Sequence, residues 1–336
     1  MMKKPDAMNS SVDAPLPSIT VLIIAYRMAA TIEAAIRAAL AQTVPSEIIV
    51  SDDSSGDGSL DIAASVLRDY RGPHRVRVRS TTRNLGLCAH LNELAVEAAG
   101  DILMFASGDD ISYPQRAQTI AETFAANPHA QLVASAVDDI DASGAIIARS
   151  VRALPERVDQ RWFLRRGRLM TTVGASMGIR RELLTRFPPL CGVVEDNMLS
   201  LRAAFAGDCL CLQQPLIGYR RHSNNLGDWV FDRSETGYAG FERRHRRVLS
   251  MYRDIAADQE RCVAARHDLP ESRRHLALEL AQMYRLEADM REAILDRPRR
   301  EWIPYLWRGF RHPGLRRKSA ERSIKLLFPR RWFARG

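Results

Sequence analysis

Short apolar runs alternate with amphipathic stretches through residues 19–126, and this alternation restricts the possible folds more than any other feature. Segments with the composition of strands are residues 19–25, 47–51, 75–80 and 102–106. Segments with apolar side chains at helical spacing are residues 29–42, 59–70, 87–99 and 114–126. The first run, ITVLIIA, is typical of a strand buried on both faces. Strands and helices in alternation predict an α/β fold with a mostly parallel, Rossmann-like sheet flanked by helices.

Acidic pairs directly follow two of the predicted strands. Asp52 and Asp53 come after the second strand, and Asp109 and Asp110 come after the strand at 102–106. Ligands of parallel sheets bind at the carboxyl ends of the strands. Two neighbouring carboxylates repel each other unless a cation offsets their charge, and hard oxygen ligands suit Mg²⁺ or Mn²⁺. We therefore expect a divalent cation at this edge, although an Asp-Asp pair in a loop is often only solvated.

Other classes of enzyme and site lack their signatures in this chain. The first turn has Tyr26-Arg27-Met28 in place of Gly-x-Gly-x-x-Gly, which disfavours a nicotinamide dehydrogenase. A metal-dependent nucleotidyltransferase could use the same strand-end carboxylates, but no Gly-rich phosphate loop with Arg or Lys lies near the first strand. The five cysteines are scattered without zinc-ligand spacing, which favours free thiols.

Several ordered motifs together resemble the family-2 glycosyltransferases of GT-A fold. In chain order they are the apolar first strand, EIIVSDDSSGDGS at 47–59, Asn84-Leu85-Gly86 with Asn92, and Ala99-Gly100-Asp101-Ile102 leading to Gly108-Asp109-Asp110. The resemblance covers Ser18 to about Gly227. It implies an inverting, metal-dependent enzyme that moves a sugar from a nucleotide-diphosphate sugar, with a UDP-sugar favoured, to a hydroxyl acceptor. The alternatives are the nucleotidyltransferase and a degenerate, non-catalytic binding module.

The resemblance also implies a donor site at the strand ends. Asp52 and Asp53 would contact the base and ribose of the nucleotide, while Ala25 and Tyr26 flank the base. The segment from Asn84 to Gly86 would open the helix beside the nucleotide.

A metal and diphosphate site is implied by two further motifs. Asp109 and Asp110 correspond to the motif for Mn²⁺ or Mg²⁺, with Asp110 as the direct ligand and Asp109 also beside the nucleotide. Ser107 occupies the place of an extra acid in the commonest form of this motif. In Tyr219-Arg220-Arg221-His222, Arg220 or Arg221 would clamp the diphosphate and His222 would touch the metal or the diphosphate. Arg116 is a further candidate for the diphosphate.

A third acidic pair, Glu195-Asp196, stands before an amphipathic stretch. In isolation, acids at a helix start are favoured by the helix dipole. The family pattern places a Glu-Asp here, after a segment resembling residues 172–176, and implies that Asp196 is the catalytic base. A base with restricted solvation suits removal of a proton from the acceptor hydroxyl. Glu195 would orient the acceptor.

Positive charge is concentrated at the end of the chain. The formal net charge is +9, yet residues 297–336 alone sum to +11 and the rest to −2. Aromatic side chains such as Trp302, Trp307 and Phe310 are interleaved with these basic residues, which suits the headgroup level of an anionic membrane. The alternatives are a tail that packs back on the body and exposes a basic face, and RNA, which the near-neutral body makes an unfavoured partner.

The sequence divides into four predicted regions. They are a flexible N-terminus at 1–17, a glycosyltransferase domain at 18–227, a helical extension at 228–296 and the basic aromatic tail at 297–336. Within the domain, a nucleotide-binding half at about 18–110 would precede an acceptor half at about 111–227. No apolar run approaches the roughly 18–20 residues that span a bilayer. We therefore expect a cytoplasmic protein, peripheral at the inner face of the cytoplasmic membrane, with a glycan or lipid-linked cell-surface glycan as acceptor.

Overall fold

The computed structural model describes residues 15–151, 154–222 and 237–328. The parallel half of the sheet contains β1 (Ile19–Ala25), β2 (Glu47–Asp52), β3 (Arg75–Ser80) and β4 (Ile102–Ser107). These strands pair in the order β3-β2-β1-β4, all parallel. The helices of this half are α1 (Ile32–Leu40), α2 (Ser59–Leu67), α3 (Leu87–Glu97) and α4 (Arg116–Ala126). The predicted alternation is confirmed, and the ends of the elements differ from the expected ones by only a few residues.

A mixed half extends the sheet beyond β4. Its strands are β5 (Ile111–Ser112), β6 (Ala130–Ile140), β7 (Ile146–Val151), β8 (Arg157–Val158), β9 (Gly178–Arg180) and β10 (Asp208–Arg220). The order continues β4-β9-β6-β10-β5, with β7 paired to β6 and β8 to β10. Because β9 is antiparallel to both β4 and β6, it joins the two halves into one sheet. The helices of this half are α5 (Gln160–Arg166), α6 (Glu182–Thr185) and α7 (Asp196–Ala206).

Both faces of the sheet are covered by apolar layers. Ile23 on β1 packs in a layer with Ile36 of α1 and Phe124 of α4. Leu22, the neighbouring residue, packs on the opposite face in a layer that includes Leu91 of α3 and Phe205 of α7. This alternation explains why β1 is apolar at every position except Thr20, as expected for a strand buried on both sides.

The C-terminal region is helical and packs on the second of these layers. Its helices are α8 (Gly237–Ala265), α9 (Glu271–Asp296), α10 (Ile303–Arg311) and α11 (Arg316–Ile324). α8 packs against α7, where the fully buried Arg202 donates from Nε to Asp258 Oδ2 at 2.9 Å. This pair fixes the helical region to the sheet domain.

The basic tail folds back on the body as far as residue 328. Trp302 is fully buried, and Glu287 on α9 is bound by Arg322 at 2.6 Å and by Lys318 at 3.1 Å. Of the two expectations for the tail, packing on the body is what the structure shows for residues 297–328, and many of its arginines remain on the surface. Within the described ranges, no helix is long and apolar enough to cross a bilayer.

Candidate active site

The carboxyl ends of β1 and β4 lie side by side and place the Ser107–Asp110 loop against the β1–α1 loop. The Gly108 N–H donates to the Ile24 carbonyl at 2.9 Å, and the Thr31 hydroxyl donates to the Gly108 carbonyl at 2.9 Å. A Cβ at Gly108 would lie 2.8 Å from Met28 Sδ and 3.3 Å from Ala25 Cβ. A larger residue would therefore displace the side chain of Met28, whereas glycine leaves room for the close approach that brings the acidic pair to the predicted ligand edge.

Asp109, Asp110 and the end of β10 come together at this edge. β10 pairs with β5, the short strand after the acidic pair, so that residues 110 positions apart in sequence become neighbours. His222 Nε2 lies 2.6 Å from Asp109 Oδ2, and Asp110 Oδ1 accepts the Arg220 backbone N–H at 2.8 Å. Asp110 Oδ2 is buried without a hydrogen-bond partner among the described residues. Burial, and after it the charge of Asp109, raises the pKa of Asp110 well above its ordinary value.

The donor set at this edge fits a divalent cation that is shared with a ligand. No group of three or more His, Cys, Asp and Glu side chains within the described ranges is arranged to hold a metal by itself. The adjacent Asp109–His222 pair and the orphaned oxygen of Asp110 supply two carboxylates and an imidazole. Mg²⁺ is commonly held by one or two carboxylates together with substrate phosphates and water. These side chains are therefore compatible with such a site.

Arg220 is engaged by the backbone rather than directed to a ligand. Its guanidinium donates to the carbonyls of Asp109 at 2.8 Å, Asp141 at 2.7 Å and Ala142 at 2.7 Å, and the residue is buried. The sequence predicts that Arg220 or Arg221 binds the diphosphate. Arg220 would have to break these hydrogen bonds to do so. Arg221 is about one third exposed, with Nε 3.7 Å from Asp139 Oδ2, and is the better placed of the two.

The loop after β2 is tied to the loop after β1 through Asp52. Its carboxylate accepts the Ser55 N–H at 2.8 Å and the Ser55 hydroxyl, and Ser55 Oγ in turn accepts the Arg27 N–H at 2.8 Å. Asp57, which sequence reasoning did not single out, accepts the Ala29 N–H at 3.1 Å. Between these ties Tyr26 remains 42% exposed, so that its ring is available at the ligand edge.

Asp53 points inward, to the loop that precedes α3. Its Oδ1 accepts the Thr81 hydroxyl at 2.9 Å and the Leu85 N–H at 2.9 Å, and its Oδ2 accepts the Gly86 N–H at 2.9 Å. The Asn84 amide donates to the Asp53 carbonyl at 3.3 Å. Gly86 has a φ of 78°, a left-handed conformation that glycine adopts without strain. Asp53 therefore shapes the Asn84–Gly86 segment, a role that the sequence did not suggest.

Glu195 and Asp196 form a second carboxylate pair at the start of α7. Glu195 is buried against the backbone of Gly174, where an added Cβ would overlap Glu195 Oε1. Asp196 is half-buried, and its Oδ1 accepts the Asn197 N–H at 2.6 Å and the Asn197 side-chain amide at 2.9 Å. Burial raises the pKa of both carboxyls, and the charge of Glu195 raises that of Asp196 further.

Arg116 connects the two carboxylate pairs. It is fully buried and donates from Nη2 to the carbonyls of Phe105, at the end of β4, and Ala175, both at 2.7 Å. Ala175 follows Gly174, which touches Glu195, and the charge of Arg116 lowers the pKa of Asp110. Burial lowers the pKa of Arg116 itself to about 9. Arg116 therefore holds the end of β4 and the Gly174–Ser176 segment together. The prediction that it binds the diphosphate does not agree with these hydrogen bonds, because they occupy its guanidinium.

A comparison with protein-family models decides the family. The model described as Glycosyl transferase family 2 matches residues 20–187, which is half of the chain. The chain belongs to this family. The matched region of this family-2 protein includes both strand-end acidic pairs, whereas Glu195, Asp196 and His222 lie beyond it.

Several curated proteins are similar to this family-2 protein over part of their length. EpsE of Bacillus subtilis (strain 168) is named provisionally as a glycosyltransferase. It is 30% identical to this chain over a region that covers 42% of this chain and 50% of the length of EpsE. The uncharacterized glycosyltransferase alr2836 of Nostoc sp. is 24% identical over 62% of this chain and 66% of its own. The cholesterol galactosyltransferase of Borreliella burgdorferi is 36% identical over 27% of this chain and 25% of its own. The chain thus spans between a quarter and two thirds of the length of these relatives.

Two solved structures of GT-A type share the fold. TarS 1–349 of S. aureus, in complex with UDP-GlcNAc, has a TM-score of 0.55 at 18% identity and covers 86% of this chain and 79% of its own. The mannosyltransferase PcManGT from Pyrobaculum calidifontis, in complex with GDP-Man and Mn²⁺, has a TM-score of 0.50 at 17% identity and covers 96% of this chain and 91% of its own. At these identities the likeness shows the fold alone, and the expected fold class is confirmed.

Proposed function

We propose that this protein is a metal-dependent glycosyltransferase that transfers a sugar from a nucleotide-diphosphate sugar to a hydroxyl acceptor with inversion. The proposal depends on one observation above all: one carboxylate pair follows β4, a second begins α7, and Arg116 donates to the carbonyls of Phe105 and Ala175, which lie close to the first and the second pair respectively. Asp109–Asp110 has a neighbouring imidazole, whereas Asp196 accepts hydrogen bonds from the backbone and side-chain amide of Asn197. Such a division of roles between titratable groups is expected of an acid–base site.

The nucleotide would bind across the ends of β1, β2 and α3. Ala25 and the exposed Tyr26 would flank the base, and Asp52 would accept hydrogen bonds from it. Asp53 would act mainly by holding Asn84 and Gly86 beside the ribose. We favour a UDP-sugar, because TarS, which has the higher TM-score of the two solved structures, is in complex with UDP-GlcNAc. The GDP-Man complex of PcManGT makes a GDP-sugar the alternative donor.

Asp110, with Asp109 and His222, would hold Mn²⁺ or Mg²⁺ against the donor diphosphate. When bound there, the cation stabilises the negative charge that develops on the departing nucleoside diphosphate. PcManGT is in complex with Mn²⁺, which supports the choice of metal. Arg221 would add a bidentate contact to the diphosphate from the end of β10. Asp109, which faces His222, would keep that imidazole oriented.

Asp196 would take the proton from the acceptor hydroxyl as the hydroxyl oxygen attacks the anomeric carbon. The raised pKa of this half-buried carboxyl makes it a stronger base than an exposed aspartate, provided that the pH keeps it ionised. Glu195 would orient the acceptor. Attack from the face opposite the diphosphate in a single displacement inverts the configuration of the anomeric carbon.

The acceptor would be a glycan, and more specifically a growing or lipid-linked cell-surface glycan. The arginine-rich tail supports such an acceptor, because it would bring the enzyme to an anionic membrane from the cytoplasmic side. The name of the Borreliella relative, a cholesterol galactosyltransferase, supports a lipid acceptor within the same group of proteins.

Thermal unfolding with different nucleotides tests this proposal. The protein is unfolded with UDP, GDP, CDP or dTDP, each with Mn²⁺, Mg²⁺ or EDTA, and Asp110→Ala and Asp196→Asn are measured in parallel. A nucleotide at 100 times its Kd stabilises the fold by about 2.7 kcal/mol. We expect a metal-dependent shift with one nucleotide, lost in Asp110→Ala and kept in Asp196→Asn. No shift with any nucleotide would contradict the proposal, and release of pyrophosphate from a nucleoside triphosphate would identify a nucleotidyltransferase instead.

A further inference from the structure

A groove of about 650 Å³ lies between α5, α9 and α10, outside the candidate active site. Its floor is aliphatic and consists of Leu164, Leu276, Met283 and Leu286. Among the described residues that line it there is no Phe, Tyr or Trp. Such a floor suits a flexible hydrocarbon chain, and the imidazole of His312 is the aromatic ring among the described residues that line the groove.

Four arginines stand around this groove without acidic partners. Arg161 and Arg165 belong to α5, and Arg308 and Arg311 belong to α10. All four are exposed, and none of their guanidinium groups makes a hydrogen bond or an ion pair within the described ranges, while that of Arg311 lies 5.2 Å from the centre of the Trp307 ring. Glu279 is the acid among the described lining residues, and it lies 3.3 Å from His275. The rim therefore has an excess of positive charge that the fold does not neutralise.

The outer face of α10 adds an apolar stripe next to these arginines. Ile303, Trp307 and Phe310 are 58%, 59% and 37% exposed and recur at the spacing of one helix face. The opposite face, with Leu306 and Gly309, is buried. A single exposed apolar residue is ordinary, but a continuous stripe bordered by unpaired arginines indicates an interaction surface.

We propose that the groove, its four arginines and the α10 stripe, together the basic-aromatic face, bind the surface of an anionic phospholipid bilayer. Lipid phosphates would contact the arginines, a lipid chain would lie on the aliphatic floor, and Trp307 would insert at the headgroup level. This chemistry favours lipid over RNA, because the floor of the groove consists of aliphatic side chains, which suit a hydrocarbon chain better than a nucleobase. The tail alone predicted a membrane contact, but two of the four arginines around the groove belong to α5, so the proposed surface also includes part of the sheet domain.

The basic-aromatic face is connected to the candidate catalytic pair through a short segment of chain. Gly167, which follows α5, packs so closely on Gly314 that an added Cβ would overlap the Gly314 carbonyl, and Lys318 donates to the Gly167 carbonyl at 2.9 Å. Gly174, which touches Glu195, is seven positions after Gly167 in the chain. At 3.3–3.6 Å per residue this segment spans at most about 25 Å. If the proposed transfer reaction is correct, a membrane-bound acceptor would thus be presented close to Asp196.

Vesicle flotation of the full chain tests the binding directly. Phosphatidylcholine vesicles with and without phosphatidylglycerol are the probes, and single-stranded RNA is added as a competitor. We expect binding to the anionic vesicles only, weakened by salt. Arg308→Gln with Arg311→Gln should lower the partition coefficient about 30-fold, at ~1 kcal/mol per arginine and 1.4 kcal/mol per tenfold change. Trp307→Ala should also weaken binding.

A matched pair of substitutions serves as the control. Arg68→Gln with Arg71→Gln removes two exposed arginines that lie near the β3 edge of the sheet, and it should leave flotation unchanged. An equal loss in this control, equal binding to neutral vesicles, or displacement by RNA would each overturn the proposal. The nucleotide-dependent thermal shift separates this proposal from the transferase assignment: groove variants should retain it, and Asp110→Ala should still float with anionic vesicles.

Discussion

Replacing Glu287 by Gln should destabilise the protein strongly, because this fully buried carboxylate anchors the tail. Arg322 binds it at 2.6 Å, Arg291 at 3.0 Å and Lys318 at 3.1 Å. Burial alone would raise the pKa of Glu287, but these three cations, Arg322 above all, lower it to about 2. A decrease of that size from an ordinary value near 4.5 corresponds to about 3 kcal/mol, and removal of one partner from a buried ion pair typically costs about 3–5 kcal/mol. The expected fall in Tm is on the order of 10 °C.

Urea unfolding of Glu287→Gln, with Glu260→Gln as the control, measures this loss of free energy. Glu260 binds Arg285 on the same helical hairpin, but both side chains are substantially exposed, so its replacement should cost at most about 1 kcal/mol. The stabilisation by Glu287 is complete above the pKa of the unfolded chain, and it declines as the pH falls towards the lowered folded pKa. The difference between wild type and Glu287→Gln should therefore shrink below about pH 4.5. Equal losses for the two variants, or a difference independent of pH, would refute the reasoning.

Three further predictions concern the candidate active site. Asp196→Asn should lower the rate of sugar transfer about 10²–10⁴-fold. In the wild type, kcat/KM should decline as the pH falls, because Asp196 has a raised pKa and becomes protonated, and the variant should lack this decline. pH–rate profiles of the two proteins measure both effects. Gly174→Ala should displace the Glu195 carboxylate and lower kcat, while circular dichroism and donor binding stay unchanged because only a side-chain end must move. Asp53→Asn should turn an amide towards the Gly86 N–H, which costs about 1–3 kcal/mol in urea unfolding and weakens the nucleotide-dependent thermal shift.

The parallel half of the fold was predictable because its signals are local. β1 and β4 are apolar at almost every position, and the helices between the strands have apolar residues at the correct spacing. The first two acidic pairs could be found for the same reason, since each stands at or just after the end of a strand. The inward orientation of Asp53 could not be foreseen, because its partners belong to a loop more than 30 residues away.

Contacts between distant segments account for the other differences. Arg220 looks like a ligand for phosphate in sequence, yet the carbonyls of Asp141 and Ala142 that bind it are supplied by the turn after β6. The composition of the tail indicated a membrane surface, but its packing includes ion pairs with Glu287, which the sequence does not distinguish from the other acids of α9. The groove was equally invisible, because α5 and α10 become neighbours only in the folded chain.

The position of β9 has a consequence for biosynthesis. This strand of three residues separates β4 from β6, and it supplies the backbone hydrogen bonds on the side of β4 that faces away from β1. A nascent chain that has not yet emerged past Arg180 has a folded β1–β4 layer whose last strand offers unpaired N–H and C=O groups to any other chain. The half of the molecule that would bind the nucleotide is therefore unsuited to production as an isolated fragment. On the ribosome, the free edge of β4 is covered only when β9 has been synthesised, and β9 begins more than 70 residues after β4 ends.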